Sequence, residues 1–336
     1  MNQMDADNEK IFLRFRNINI LVFAAAFFLM IAAMLTAFSG IINKVTCNDA
    51  ARYTKSSADI LSAHISQNLD IVSEAAHSDA IINWLLDEED MEKKTLAFQT
   101  MLALVKDIQS HDFYIGVDKS LNQYIVDWDY SKEYMFSLDT LNENDPADEL
   151  YFECVKSDKE YLLSIDIPLD QKRRQILLCY KITYKGVPIG VIFAGLDLSQ
   201  IISEIFSLYD SENMRGIIIN ESGNIYMDSL ALSQNDRLAG SSLLNINEAL
   251  ADNGVNAAIK PFLYNDDYYS DDIELSEVIK LVDSRYQYIS IIPVKNTNWA
   301  SIIIFNTLTL FNLSLFLPVF LLALFLLIVF AATINT

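Results

Sequence analysis

Glycine, proline, cysteine and histidine are all scarce in this chain: nine, six, three and three among 336 residues. Each shortage removes a class of chemistry. With so few glycines there is no Walker-type loop, no glycine-rich dinucleotide turn and no GxSxG nucleophile elbow. His64, His77 and His111 have no ligand-like spacing, and neither an HExxH nor a CxxC pair occurs, so no metal site is expected. Cys47, Cys154 and Cys179 are too few, and odd in number, for a disulfide framework. They read as free buried thiols, with a Cys154–Cys179 bond as the alternative in an oxidising compartment. Basic residues are also short, 24 against 45 acidic ones, for a net charge of −21. That balance speaks against nucleic acid, which requires a basic face. No cofactor, no catalytic residue and no enzymatic activity are expected.

What the chain does have is apolar residue, 52% of it, which sits oddly beside so much charge in one soluble domain. Segregation resolves the conflict. Residues 17–43 carry no charge and are long enough to cross roughly 30 Å of hydrocarbon. Lys295 is the last charged residue, and 308–334 forms a second candidate span in which Pro318 is tolerable. A cleaved signal peptide is the rival reading of the first segment, with Lys10, Arg14 and Arg16 before it and Ala37-Phe38-Ser39 resembling a cleavage site. Its apolar run exceeds the roughly 7–15 residues of such a peptide, which favours an uncleaved anchor. Lys44, Arg52 and Lys55 balance the three N-terminal cations, so charge sets no orientation. Two spans around one acidic block place the middle outside, in a two-pass inner or plasma-membrane protein with both ends cytoplasmic.

Between the spans the hydrophobic period changes. Leu61, Ile65, Leu69, Val72 and Ala76 form one helical stripe, continued by Leu85, Leu96, Met101 and Val105 after an acidic break at Asp87-Glu88-Glu89-Asp90, so 46–109 reads as helical. After Asp112 short apolar runs alternate with turns: strands at 113–117 and 123–126, a short helix at 148–156 and a strand at 161–167. The hairpin of 176–199 follows, turning at Lys185-Gly186. Asp197 and Gln200 mark the start of a helix bearing Ile201, Ile202, Ile205 and Leu208. The order then repeats. Asp118-Lys-Ser-Leu-Asn-Gln-Tyr-Ile matches Asn220-Glu-Ser-Gly-Asn-Ile-Tyr-Met at an offset of about 102. The 185–193 turn and strand match 295–303 at about 110, so two similar α+β modules are expected.

Three stretches, FYIGVDKSLNQYI, ELYFECVKSDKEYLLSID and GVPIGVIFAGLDLSQI, in this order behind a long helix, resemble the double Cache sensor domains of bacterial transmembrane receptors. The resemblance covers about 42–305. It implies an α+β fold, two PAS-like modules on a long N-terminal helix, flanked by two transmembrane helices. The corresponding divisions are a tail 1–17, a first span 18–43, a helical stalk 44–111, a membrane-distal module 112–208, a membrane-proximal module 209–306 and a second span 307–334. In this family the distal module usually holds the ligand. The amino-acid-binding subgroup uses an Arg-x-Trp-Tyr run, a later Tyr and Asp, and an Asp on the closing strand. Here Asp148, Leu150 and Gly195 stand at the Arg, Trp and strand-Asp positions, and only Tyr151, Tyr161 and Asp166 match. A bare carboxylate would meet repulsion in such a pocket, so a cationic or neutral ligand is expected.

The expected ligand contacts are Trp128, Tyr151, Tyr161 and Asp166, aromatic walls with a polar anchor; core packing is the bland account of the same four. The acidic run at 265–274, with Glu277 behind it, lacks the alternation and turn glycine of a Ca²⁺ loop and reads as solvated surface, with a site bridging to divalent cations at the membrane surface as the alternative. The reading as a whole is a homodimeric membrane sensor for a small extracytoplasmic molecule, relaying a shift through its spans. A membrane-anchored scaffold that binds only proteins is the other class. Kinase, methyl-accepting and diguanylate cyclase outputs are absent up to Thr336, so an output would lie beyond that residue or in a membrane partner.

Overall fold

The computed structural model describes residues 3–128, 139–166, 175–206, 214–230, 244–263, 277–306, 321–322, 324–326 and 328–329. The chain divides into two compact units, Met1–Ala50 with Phe305–Thr336, and Ala51–Ile304. Helix α1 (Gln3–Ala76) begins in the first unit. From Arg14 onward it is long and apolar enough to cross a membrane, by length and composition. The second expected span falls almost wholly outside the described residues, as does the acidic run at 265–274.

Within 51–304 the helical layer is broken more often than its period suggests. A continuous helix over 46–109 would reach about 95 Å at 1.5 Å per residue. Instead α1 ends at Ala76, α2 covers Asp79–Leu86 and α3 covers Met91–Val105. Ser78 is extended (φ −69°, ψ 124°), which turns the chain back. Burial is the reason: folding back puts Ile81, Trp84, Phe98 and Met101 into one core rather than into solvent. Trp84 meets Phe98 and Tyr124 edge-to-face at 5.3 and 5.2 Å. The acidic break closes the second turn. Asp90 accepts from the N–H groups of Glu92 and Lys93 as the N-cap of α3. Glu88 accepts from Asn122 Nδ2 at 2.8 Å and Tyr124 Oη at 2.6 Å, tying the turn to the sheet. Burial raises the Glu88 carboxyl, but these bonds, one from Ser120 and nearby Lys94 outweigh it, and its pKa is lowered.

The first sheet contains β1 (Asp112–Val117), β2 (Asn122–Asp127), β3 (Asp139–Thr140), β4 (Tyr161–Asp166), β5 (Gln175–Tyr184) and β6 (Val187–Asp197), in the order β3-β2-β1-β6-β5-β4. The hairpin between β5 and β6 turns on Lys185 (φ 53°) and Gly186 (φ 78°). Two consecutive positive φ values match the right-handed twist of the flanking strands. A 3-10 turn, Pro146–Asp148, precedes helix α4 (Glu149–Lys156), and α5 (Leu198–Phe206) leaves the sheet with Ile201 and Ile205 buried.

The second sheet has β7 (Met214–Asn220), β8 (Ile225–Asp228), β9 (Glu277–Lys280), β10 (Tyr288–Val294) and β11 (Trp299–Phe305), ordered β8-β7-β11-β10-β9. This is the first order without its outermost β3. Two separate antiparallel sheets of one design therefore stand along one helical layer, as the internal repeat implies. In the second, α6 (Ile246–Leu250) and α7 (Asn253–Ile259) cover one face, and Ile217, Ile219, Ile289, Ile291 and Ile302 fill the space beneath.

Candidate functional site

Strand alternation gives the first sheet two different faces. Phe113, Ile115, Val117, Tyr124, Leu178, Tyr180, Ile192 and Ala194 face the core built with α1, α2 and α3. The intervening residues form the other face, over which α4 lies. Its register is set by direct pairs: Ile125 beside Tyr114, Tyr114 beside Phe193, Phe193 beside Cys179 and Cys179 beside Leu162. One row further, Gln123, Gly116, Val191 and Lys181 follow.

Helix α4 reaches this face because Gly116 has no side chain. A Cβ there would lie 2.4 Å from Tyr151 Cε2 and 2.8 Å from Leu141 Cδ1. Tyr151 is 1% exposed and joins Leu141, Cys154, Cys179 and Val191 in a small cluster of its own. Its hydroxyl is buried and has no hydrogen-bond partner among the described residues. Burial first, then Asp118 and Cys154, push its phenol well above the ordinary range. A buried, unpaired hydroxyl is costly unless something else bonds it.

At the other end of the same face the surface becomes acidic. Asp112 pairs across the strands with Asp127. Burial raises the Asp112 carboxyl; a hydrogen bond from Ser110 opposes the rise and Asp127 adds to it, leaving the pKa raised. Ser110 Cβ is 3.6 Å from where a Cβ on Gly195 would lie, and Gln175 Oε1 is 3.1 Å from it. The closing strand lacks its carboxylate at Gly195, and β1 brings Asp112 into that neighbourhood.

The four expected contacts do not converge. Tyr151 lies over Gly116, whereas Trp128 is opposite His111, its N–H donating to the His111 carbonyl at 3.0 Å. Those points are five residues apart along β1, about 17 Å. Trp128 is 49% exposed. Asp166 ends β4 opposite Gln175. Tyr161 is on the wrong face for the expected pocket. It pairs with Tyr180, stacks on that ring at 6.3 Å and packs against the helix-side core. Its hydroxyl donates to the carbonyl of Asn296, in the turn between β10 and β11. Asp112, Ser110 and Gly116 were not among the expected contacts. The spacing Asp112-x-Tyr114-x-Gly116 was the available signal, since alternation puts all three on one face.

The equivalent face of the second sheet holds a different arrangement. Arg215 makes a fork to Asp228 at 3.1 and 2.6 Å, and both side chains are nearly buried. Asp228 also accepts from the Leu230 N–H at 3.0 Å and Arg215 also meets Tyr286, so the pair is satisfied by its surroundings, beside a cluster of isoleucines. Among the described residues no group of His, Cys, Asp and Glu could hold a metal ion. A cleft of about 490 Å³ lies on the helical layer, lined by Glu74, His77, Ser78, Thr100, Ala103 and Leu104. It is separate from the α4 face.

Neither a protein-family profile nor a curated protein significantly matches the sequence. Solved structures do match in fold. The periplasmic sensory domain of the Campylobacter jejuni chemoreceptor Tlp1 superposes with a TM-score of 0.54 at 13% identity, covering 81% of this chain and 98% of that one. The ligand-binding domain of C. jejuni chemoreceptor Tlp3 in complex with L-norvaline gives 0.54 at 13%, covering 81% and 94%. The ligand-binding domain of the Pseudomonas aeruginosa PAO1 amino acid chemoreceptor PctC in complex with GABA gives 0.51 at 14%, covering 78% and 100%. The described fold is thus that of the double Cache sensory domains of bacterial chemoreceptors.

Proposed function

We propose that this chain is the membrane-anchored sensory portion of a bacterial signal-transduction receptor, which binds a small molecule at the α4 face of its distal module. The observation that carries this reading is the contrast between the two sheets. The α4 face of the first combines an apolar floor, the buried unpaired hydroxyl of Tyr151 and the Asp112–Asp127 pair. The matching face of the second is packed with isoleucines around a satisfied ion pair. Among the described residues, the first face sets a buried phenol without a hydrogen-bond partner and two facing carboxylates beside aromatic surface, which is how small-molecule sites are built.

In this reading residues 112–208 are the ligand module and 209–306 the membrane-proximal one. Tyr151 covers the apolar end of the site, Asp112 replaces the carboxylate missing at Gly195, and Asp166 and Trp128 border the acidic end. Tyr161 leaves the site for the intermodule contact. Paired carboxylates favour a cationic or neutral ligand, an amine above all, because opposite charge is stabilised where solvent is excluded. The chain acts without catalysis. The two spans, 18–43 and 307–334, place 44–306 outside the inner or plasma membrane, and a homodimer relays the shift along α1. Signal passes only because the ligand binds two arrangements unequally.

The test is a thermal-shift and calorimetric screen of the full chain in detergent against amines, amino acids and carboxylates. An amine should bind, and Asp112→Asn should weaken it at least tenfold, about 1.4 kcal/mol. A ligand held equally well by Asp112→Asn, Tyr151→Phe and Asp166→Asn overturns the site. If no small molecule binds while the chain captures a defined protein partner, the scaffold reading replaces this one.

A further inference from the structure

Cys154 and Cys179 are both fully buried in the cluster beneath α4. Cys154 is on the helix and Cys179 is on β5, 25 residues later. Cys154 Sγ donates to the Cys179 carbonyl at 3.8 Å, and Cys179 Sγ donates to the Leu162 carbonyl at 3.4 Å. The two thiols are near enough to act on each other's ionisation, lowering the pKa of Cys154 and raising that of Cys179. The distal module therefore brings two of its chain's three cysteines side by side on the ligand face. We propose that Cys154 and Cys179 form a disulfide that fixes α4 to the sheet. This rests on the extracytoplasmic reading, because that is where thiols meet oxidants.

The chemistry closes with a small disulfide such as oxidised glutathione as acceptor. With α4 undocked both thiols are solvated and either can attack first; with Cys154 as the first nucleophile, Cys179 is the resolving thiol. The Cys154 thiolate attacks one glutathione sulfur, the S–S bond breaks, and one glutathione thiolate leaves. Cys179 then loses its proton and attacks the Cys154 sulfur of the mixed disulfide, displacing the second glutathione. Two protein thiols are oxidised and one glutathione disulfide becomes two thiols. Since neither sulfur is exposed, pairing happens before α4 docks, and the finished bond is shielded from reductant.

The consequence falls on the ligand face. Tyr151 precedes Cys154 by one helical turn, so the bond pins the ring that covers Gly116. Reduced, α4 is held by packing and hydrogen bonds alone. Oxidised, it loses the freedom to lift away, and ligand entry must proceed without that motion.

The full chain carrying Cys47→Ser should be purified in detergent and incubated with oxidised glutathione in sub-denaturing urea. Free thiols counted after full denaturation should fall from two per chain to none, and mass mapping should find the 154 and 179 peptides joined. The melting midpoint should rise by roughly 5–10 °C, as expected for a closed loop of this length. Two surviving thiols, or glutathione left on Cys154 alone, overturns the proposal. Cys154→Ser and Cys179→Ser controls should each keep one thiol and lose the midpoint rise. A second arm blocks thiols in intact cells before lysis. Pairing in detergent but not in cells would leave the site standing and count against the extracytoplasmic placement.

Discussion

The hydroxyl of Tyr161, on the edge strand of the first sheet, donates to the carbonyl oxygen of Asn296 in a turn of the second at 3.0 Å. Asn296 Nδ2 in turn donates to Ser66 Oγ on α1 at 2.8 Å. One residue thus bonds both the edge strand of the first sheet and helix α1. Its backbone is left-handed (φ 62°), a conformation asparagine tolerates better than most residues. Tyr161 is further braced by Tyr180, whose hydroxyl receives from Ser73 and donates to Glu160.

Tyr161→Phe should preserve the stack and remove only the intermodule bond, at a cost of about 0.5–1.5 kcal/mol. Asn296→Gly should keep the left-handed turn while losing the bond to Ser66. Asn296→Ala adds backbone strain of about 1 kcal/mol and should be the less stable of the two. Differential unfolding and hydrogen exchange across Ser66, Tyr161 and Asn296 measure this. Unchanged exchange at all three in both conservative variants would show that the contact transmits nothing.

Gly116→Ala drives a methyl into the Tyr151 ring, whose nearest atom would be 2.4 Å away. Either α4 lifts or the ring rotates, and overpacking of this kind costs about 1–3 kcal/mol. Gly116→Ala should lower the melting midpoint by several degrees. Adding Tyr151→Leu should recover part of that loss, and a fully additive double variant would show that the two do not collide.

Asp112 predicts a pH dependence with a definite sign. Its pKa in the folded chain is raised above the ordinary 3.8, so the folded state holds the proton more tightly than the unfolded one. Stability from this group is complete below the unfolded value and declines as pH rises through the folded one. Asp112→Asn should therefore melt higher than the parent at neutral pH, and the gap should close below about pH 4. A gap that widens in acid would reverse the assignment. The same variant should bind an amine ligand less well, stabilising the fold at the expense of the site.

Arg215 and Asp228 predict a coupled pair. Removing Arg215 as Arg215→Met strands a nearly buried carboxylate, and such losses run to about 3–5 kcal/mol. Asp228→Leu in the same chain should restore much of it, because an apolar pair of similar volume needs no desolvation offset. Ligand binding at the distal module should survive in the double variant. Denaturant titration of the two single variants and the double gives the coupling energy.

Local pattern carried the element order a long way. The period-four stripe from Leu61 to Ala76, the alternation from Phe113 onward and the Lys185-Gly186 turn are written in adjacent residues, where short-range sterics and burial act directly. The repeated turns at 118 and 220 likewise made the duplication of the sheets readable. The site was harder. Tyr161 and Asp166 are five apart on one strand, so alternation alone assigns them to opposite faces, a signal present in the sequence.

What the sequence by itself determined is therefore the kind of each element, their order, the doubling of the module and the uncharged stretch at 17–43. The tertiary structure decided which residues share a surface. The helical layer folds back at Ser78 because only then are Trp84 and Met101 buried together. Asp112 meets Asp127, Tyr151 settles on Gly116, Cys154 meets Cys179 and Tyr161 reaches Asn296 only once strand register and sheet order are fixed. Those contacts join residues up to 135 positions apart. No local periodicity encodes them, because they follow from the closure of loops and the packing of whole layers.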